Sequence, residues 1–126
     1  MLYADDDADD RAWVEEACKD VNAQLSVRFL ENGKEVLKFL QSPAVPPLPS
    51  LIILDLNMPQ LDGRQTLQQL KSHPDYQHIP VAVVTTSTSP LDRDACYFLG
   101  AKLFLVKPNS YREWRDIMHQ LIPLAH

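Results

Sequence analysis

Three consecutive aspartates, Asp5, Asp6 and Asp7, follow the apolar run "MLYA". A lone aspartate, Asp55, closes "LIIL", Thr85 follows "VAVV", and Lys107 follows "LFLV" just before Pro108. Clustered carboxylates repel and raise one another's pKa unless a cation joins them. Two or three carboxylates with a backbone carbonyl and waters make an oxygen-rich site that suits Mg²⁺. A hydroxyl at Thr85 and an ammonium at Lys107 suit an anion, and phosphate is the anion that Mg²⁺ and lysine commonly share. Asp55 is then a candidate carboxylate nucleophile that would form an aspartyl phosphate.

Taken singly, each residue has a plainer reading. An aspartate after a strand is commonly a helix cap, and Asp7 or Asp9 can be only that. The acids of 5–10 can form a solvated turn, and a lysine before proline is usually a surface lysine. The weight lies in four such groups standing at corresponding ends of successive apolar runs, because ligands collect outside the carboxyl ends of the strands in an open α/β sheet.

The elements that must carry these residues are legible. "MLYA" (1–4), "LSVRFL" (25–30), "LIIL" (51–54), "VAVV" (81–84) and "LFLV" (103–106) read as strands. All but the second are near-continuous in apolar character, as strands covered on both faces of a parallel sheet are. Residues 10–21 gather Val14, Ala17, Cys18 and Val21 on one helical face, and "NGKEVLKFL" turns Val36, Leu37 and Leu40 inward. Gly63 to Ser72 carries Leu67 and Leu70 and ends before Pro74. "SPLDRDACYFLG" offers Ser89 as N-cap, Pro90 in the first turn and Gly100 as the stop. "SYREWRDIMHQLI" opens with Ser110 and Glu113 in capping-box spacing and aligns Trp114, Ile117 and Leu121. A βα unit repeated five times predicts a doubly wound α/β sheet of five parallel strands with five helices. The segment 42–50, with four prolines, predicts a stiff loop rather than a domain boundary.

Composition narrows the function classes. A chain of 126 residues with 45% apolar content is one ordinary globular domain. No apolar run approaches the roughly 18 residues of a membrane span, and the acidic start does not read as a signal peptide, so a cytoplasmic protein is expected. The net charge of −5 is local: residues 1–20 hold eight acids and two bases, and the other 106 hold nine acids and ten bases. There is no basic stripe for nucleic acid. Cys18 and Cys96 lack metal-ligand spacing and read as buried free thiols. Trp13 and Trp114 read as helix packing residues.

In order along the chain, "DDD", "LDLNMPQLDG", "IPVAVVTTS", "LGAK" and "LFLVKP" resemble the receiver domain of two-component response regulators, the single-domain chemotaxis type being nearest in architecture. The resemblance spans almost the whole chain, including the Asp55–Thr85 and Thr85–Lys107 intervals. It implies a flavodoxin-like strand order 2-1-3-4-5 and a phosphoryl group accepted by Asp55 from a histidine kinase or histidine phosphotransfer protein. It further implies Mg²⁺ held by Asp5, Asp6, Asp55 and the main-chain carbonyl of Asn57. Thr85 would hydrogen-bond one phosphoryl oxygen, Lys107 would pair with another, and the Lys107–Pro108 bond would be cis. As a switch, Thr85 would move toward the phosphate and Phe104 would rotate into the space behind it. The changed surface would lie over residues 90–122 and serve a downstream protein target or self-association. The chain carries no effector domain after residue 126, so a stand-alone receiver acting by docking is expected, with no external product.

Several positions depart from the usual pattern. Phe104 stands where tyrosine is frequent, and Thr86 where alanine is common. Asn57 and Ser87 occupy positions that, in the family the chain resembles, tune the rate of phosphoryl loss. "TTSTSP" and "NMP…DG" look somewhat like stand-alone regulators paired with phytochrome-type kinases. Two other readings stay open: a receiver fold used as a constitutive protein–protein adaptor, and a small haloacid-dehalogenase-type phosphohydrolase. The second expects an aspartate two residues after the nucleophile, where this chain has Asn57.

Overall fold

Five short apolar runs become the strands of one parallel sheet, and the helices between them divide over its two faces. The computed structural model describes residues 1–42 and 48–125. Its elements are β1 (Leu2–Ala4), α1 (Ala8–Val21), β2 (Arg28–Leu30), α2 (Gly33–Gln41), β3 (Ile52–Leu54) and α3 (Gly63–Ser72). They continue with β4 (Val81–Thr85), α4 (Pro90–Phe98), β5 (Leu103–Val106), α5 (Tyr111–Leu121) and a closing 3₁₀ turn, Ile122–Leu124. The strand order is β2-β1-β3-β4-β5, as the resemblance implies, and all pairings are parallel, as the βα alternation predicts. Most of the proline-rich loop expected over 42–50 lies outside the described residues.

The pleat sorts each strand's side chains between two cores. Leu2, Ala4, Ile52, Leu54, Val81 and Val83 meet Val36 and Leu40 of α2, Leu67 and Leu70 of α3, and Cys96 of α4. Tyr3, Leu51, Ile53, Ala82 and Val84 meet Val14, Ala17 and Cys18 of α1 and Trp114, Ile117, Met118 and Leu121 of α5. With both faces covered, β1, β3 and β4 are buried throughout, which explains their continuous apolar character. Cys18 and Cys96 are free and buried, the first with its Sγ 3.6 Å from Met118 Sδ.

Three local expectations change. The second strand is only Arg28–Leu30, because β1 is three residues long and offers partners to three: Leu2 to Arg28, Tyr3 to Phe29 and Ala4 to Leu30. The reciprocal capping box belongs to α3, not α5. There Gln65 N–H donates to Asp62 Oδ1 at 2.8 Å and Asp62 N–H donates to Gln65 Oε1 at 3.1 Å. At α5, Ser110 accepts from Glu113 N–H as the sequence implies. Trp114 is a packing residue, but Trp13 is 47% exposed, its ring set against Tyr111 with centroids 5.5 Å apart. It sits one position before Val14, and that step of a helical period turns it away from the sheet.

The chain switches direction between β1, which leads outward to β2, and β3, which lies on the other side of β1. The ends of these two strands border the crevice where such sheets bind ligands. Gly63 packs the start of α3 against that crevice: its N–H donates to Leu56 O at 3.0 Å, and a Cβ built there would fall 2.1 Å from the Asp55 carbonyl oxygen. Backbone, rather than a flexible side chain, would have to give way. Gly63→Ala is expected to cost about 3 kcal/mol in urea unfolding, against less than about 0.5 kcal/mol for Gln69→Ala on the exposed face of the same helix.

Candidate functional site

Parallel pairing brings the carboxyl ends of β1, β3, β4 and β5 into one row, and each end delivers one of the residues singled out by its chemistry. Asp5 follows β1 and is fully buried, its N–H bonded to Leu30 O at 3.0 Å. Asp55 follows β3, is 5% exposed, and is tied by its own N–H to Ala4 O at 3.0 Å. Thr85 ends β4 and is fully buried. Lys107 follows β5, with its N–H donating to Thr85 O at 2.7 Å. Backbone bonds therefore fix the bases of Asp5, Asp55, Thr85 and Lys107.

Asp5, Asp6 and Asp55 form a group whose nearest carboxylate oxygens all lie within 4.8 Å of one another, with Asp6 exposed and the other two buried. Asp5 Oδ1 accepts from Asp7 N–H at 2.9 Å, while Asp5 Oδ2 is buried with no hydrogen-bond partner. A buried carboxylate oxygen without a donor is costly unless a cation meets it. Lys107 supplies part of that charge, its Nζ lying 2.9 Å from Asp5 Oδ2 as an ion pair outside hydrogen-bond geometry. The remaining demand and the all-oxygen donor set fit a divalent metal.

The Lys107 ammonium makes two hydrogen bonds, to Asp10 Oδ2 at 2.7 Å and to Asp55 Oδ2 at 2.9 Å. Burial alone would lower its pKa, but the hydrogen bonds to Asp10 and Asp55 and the close charge of Asp5 more than reverse this and raise it above the ordinary lysine value. Asp55 Oδ1 accepts from Asn57 N–H at 3.3 Å, and the Asn57 side chain faces solvent. Asp7 caps α1, accepting from Asp9 and Asp10 N–H. Gln60, in the loop after Asp55, holds a left-handed φ of 65°. A residue with a Cβ takes that conformation at a cost of about 1 kcal/mol.

Thr85 Oγ1 accepts from Ser87 N–H at 3.4 Å, and Ser87 Oγ donates to Asp92 Oδ2 at 2.6 Å. Arg64 of α3 donates to the other Asp92 oxygen. A polar chain thus runs from the Thr85 hydroxyl to the first turn of α4. Phe104 pairs with Val83 in register, so it shares a sheet face with Thr85 two residues along β4. It is partly buried against the α2–α3–α4 core, with its N–H donated to the Tyr97 hydroxyl at 3.1 Å. Pro108, following Lys107, is partly buried. Asp5, Asp6, Asp55 and Lys107 come together as the spacing implies, with Thr85 and Asn57 beside them. The sequence reading missed Asp10 as a Lys107 partner and the Arg64–Asp92 pair. Asp10 carried a signal, since it lies one helical turn before Val14, on the face of α1 that the core residues define.

The family model described as "Response regulator receiver domain" matches residues 1–119. The chain is 36% identical over 116 residues to response regulator Rcp1 of Synechocystis sp. (strain ATCC 27184 / PCC 6803 / Kazusa), covering 90% of this chain and 78% of that one. Further relatives are longer, and the chain spans 63% and 51% of two of them. Among solved structures, the phosphorylated cyanobacterial phytochrome response regulator RcpA superposes with a TM-score of 0.87 at 27% identity, covering 99% of this chain and 95% of that one. The Mn²⁺-bound form of Rcp1 superposes with a TM-score of 0.84 at 33% identity, covering 93% and 89%.

Burial holds the Asp5 carboxyl up at about 6, against the lowering effect of Lys107 and the Asp7 N–H. The folded chain therefore binds this proton more tightly than the unfolded chain, whose aspartates titrate near about 3.9. The resulting stabilisation is full below about pH 4 and is lost as the pH rises through about 6. In divalent-free buffer, Asp5→Asn is expected to exceed the parent in stability by about 2 kcal/mol above pH 7 and to match it near pH 4, as read by urea unfolding across that range.

Proposed function

The chain belongs to the response regulator receiver domain family of two-component signalling, and on that premise we propose that it is a phospho-accepting switch. Asp55 takes a phosphoryl group from a histidine kinase or histidine phosphotransfer protein, with Mg²⁺ as cofactor. The observation that carries this reading is the Asp55 carboxylate, 5% exposed and 2.9 Å from the Lys107 ammonium, grouped with two further carboxylates at the ligand-binding edge of the sheet.

In the transfer, an Asp55 carboxylate oxygen attacks phosphorus, the new P–O bond forms, and the P–N bond to the donor imidazole breaks. Asp5, Asp6, Asp55 and the main-chain carbonyl of Asn57 would hold Mg²⁺, which when bound offsets the carboxylates' charge and that of the phosphoryl oxygens. Lys107 exchanges its bond with Asp55 Oδ2 for one with a phosphoryl oxygen. Thr85 donates its hydroxyl proton to another. Ser87 and the Asn57 side chain stand near the approach of water and tune how long the phosphoryl group persists. The chemistry is confined to the chain's own phosphorylation and its loss, with no external product.

The output is a change of surface. Thr85 moving toward the phosphate opens space that Phe104 fills, and its link through Ser87 to Asp92 carries the shift to α4. Inverting an equilibrium from 1:99 to 99:1 takes about 5.5 kcal/mol, a load that a charge-assisted hydrogen bond and a buried ion pair can share. Leu91 and Phe98, 81% and 89% exposed, and the half-exposed Tyr97 and Val106 give residues 90–122 an apolar docking face for a downstream protein or a second copy. Among the described residues no helix is long and apolar enough to cross a membrane, and a cytoplasmic location beside its kinase is part of the same proposal.

Incubation with phosphoramidate and Mg²⁺ is expected to add one phosphoryl mass, labile to hydroxylamine, to the parent and none to Asp55→Asn. A parent that binds Mg²⁺ yet gains no mass from any donor would leave a constitutive adaptor instead. Thr85→Ala is expected to gain the mass but to lose most of the amide chemical-shift change over residues 90–122 that phosphorylation produces in the parent.

A further inference from the structure

Of the groups around Lys107, Asp10 has no part in the chemistry derived above, yet it accepts the ammonium's shorter hydrogen bond, 2.7 Å against 2.9 Å to Asp55. Asp5 Oδ2 approaches Nζ at 2.9 Å without hydrogen-bond geometry and belongs to the metal-binding group. The two hydrogen-bonded partners therefore differ in kind. Asp55 must give up its oxygen to the phosphoryl group, whereas Asp10 stays a carboxylate throughout. Its backbone is held in the first turn of α1 by the Asp7 cap, and its side chain is partly buried, with 22% of it exposed. Lys107 is 92% buried in its side chain, so its four-carbon stem is packed while its head group is set by these contacts.

We propose that Asp10 is a positioning residue that anchors the Lys107 ammonium while its bond to Asp55 is exchanged for one to the phosphoryl group. This rests on the function proposed above. Two effects of removing Asp10 have opposite signs. Deleting a negative charge beside an anion site strengthens anion binding by simple electrostatics. Deleting the anchor leaves the ammonium to wander among the remaining carboxylates and weakens it. The anchor is the larger effect, because Asp10 is partly exposed and its long-range field is screened, while a charge-assisted hydrogen bond at 2.7 Å is short-ranged and directional.

The test uses beryllium fluoride, an analogue of a phosphoryl group on aspartate, titrated with Mg²⁺ into the parent, Asp10→Asn, Asp10→Glu and Asp9→Asn. Asp9 occupies the same first turn, so Asp9→Asn removes the same kind of helix-terminal charge without touching Lys107. Asp10→Asn is expected to weaken beryllium fluoride binding about tenfold, the worth of one charge-assisted hydrogen bond, with partial recovery in Asp10→Glu and little change in Asp9→Asn. In ¹⁵N-lysine spectra, a slowly exchanging ammonium signal, assigned by its absence in Lys107→Met, is expected in the parent and lost in Asp10→Asn. Unchanged or tighter beryllium fluoride binding by Asp10→Asn, or an equal loss in Asp9→Asn, would overturn the proposal. If the parent itself binds no beryllium fluoride, the phosphoacceptor reading fails, and persistence of the slow ammonium signal in Asp10→Asn would still overturn the anchor.

Discussion

One buried ammonium holds the carboxyl edge of this sheet together. Lys107 lies within 3 Å of oxygens from Asp5, Asp10 and Asp55, and without it the two buried carboxylates would face each other across a poorly solvated gap. Removing that ammonium is far more damaging than never having built the arrangement, because the two carboxylates would stay buried without a counter-charge. The site is thus a liability to stability that the rest of the fold must offset, a common condition of functional centres. Burial holding the Asp5 carboxyl up at about 6 has the same cause, the cost of keeping a carboxylate out of water.

The compensation is spread over both faces of the sheet. Two separate cores, one under α2, α3 and α4 and one under α1 and α5, clamp the central strands. Each fully buried Leu, Ile or Val adds about 1.5–3 kcal/mol before entropy is counted. The strands themselves are short, three to five residues, so their ends lie close to fully packed backbone, which is what gives Asp5, Asp55 and Thr85 fixed starting points. The caps extend this order into the loops. Asp7, Asn32, Asp62, Ser89 and Ser110 cap the five helices, all but Asp62 within four residues of the preceding strand end, so most of these loops have little length in which to wander.

Most of this was legible in the sequence because each signal was redundant. The continuous apolar runs gave buried parallel strands, and the parallel arrangement then required Asp5, Asp55, Thr85 and Lys107 to share one edge. What was not legible depended on partners distant in sequence. The extent of β2 was limited by the length of β1, and nothing between residues 25 and 30 encodes that. Trp13 read as a helix packing residue but lies outside the helical face that Val14 and Ala17 define, and its aromatic neighbour, Tyr111 of α5, is nearly a hundred residues away. Asp10 read as one more acid in a run of five because its role is fixed by Lys107, a contact across the α1–β5 gap. Residue type and period set the scaffold, whereas pairings between loops emerge only once the scaffold is assembled.

The same separation explains how a local change of charge can reach a distant surface. Thr85 is bonded through its backbone to the base of Lys107 and through its hydroxyl to Ser87, which leads to Asp92 and Arg64. The first contact belongs to the sheet and has one arrangement. The second lies in the β4–α4 loop, where Thr86 and Thr88 are exposed and Ser87 is held by hydrogen bonds. A pull on the Thr85 hydroxyl therefore meets rigid resistance on the sheet side and a breakable contact on the loop side. Packed interiors transmit strain to whichever neighbour can adopt a second arrangement. Here that neighbour is the first turn of α4, whose far end presents Phe98 to solvent. Asp92 joins α4 to α3 through Arg64, so a shift that breaks Ser87 from Asp92 leaves the helix pair intact and alters only the loop, whereas a shift carried through Asp92 moves α4 against α3. Under the proposed switch, the Asp92 carboxylate, shared between Ser87 and Arg64, is the point at which a response of the site becomes either a local rearrangement or a change of surface.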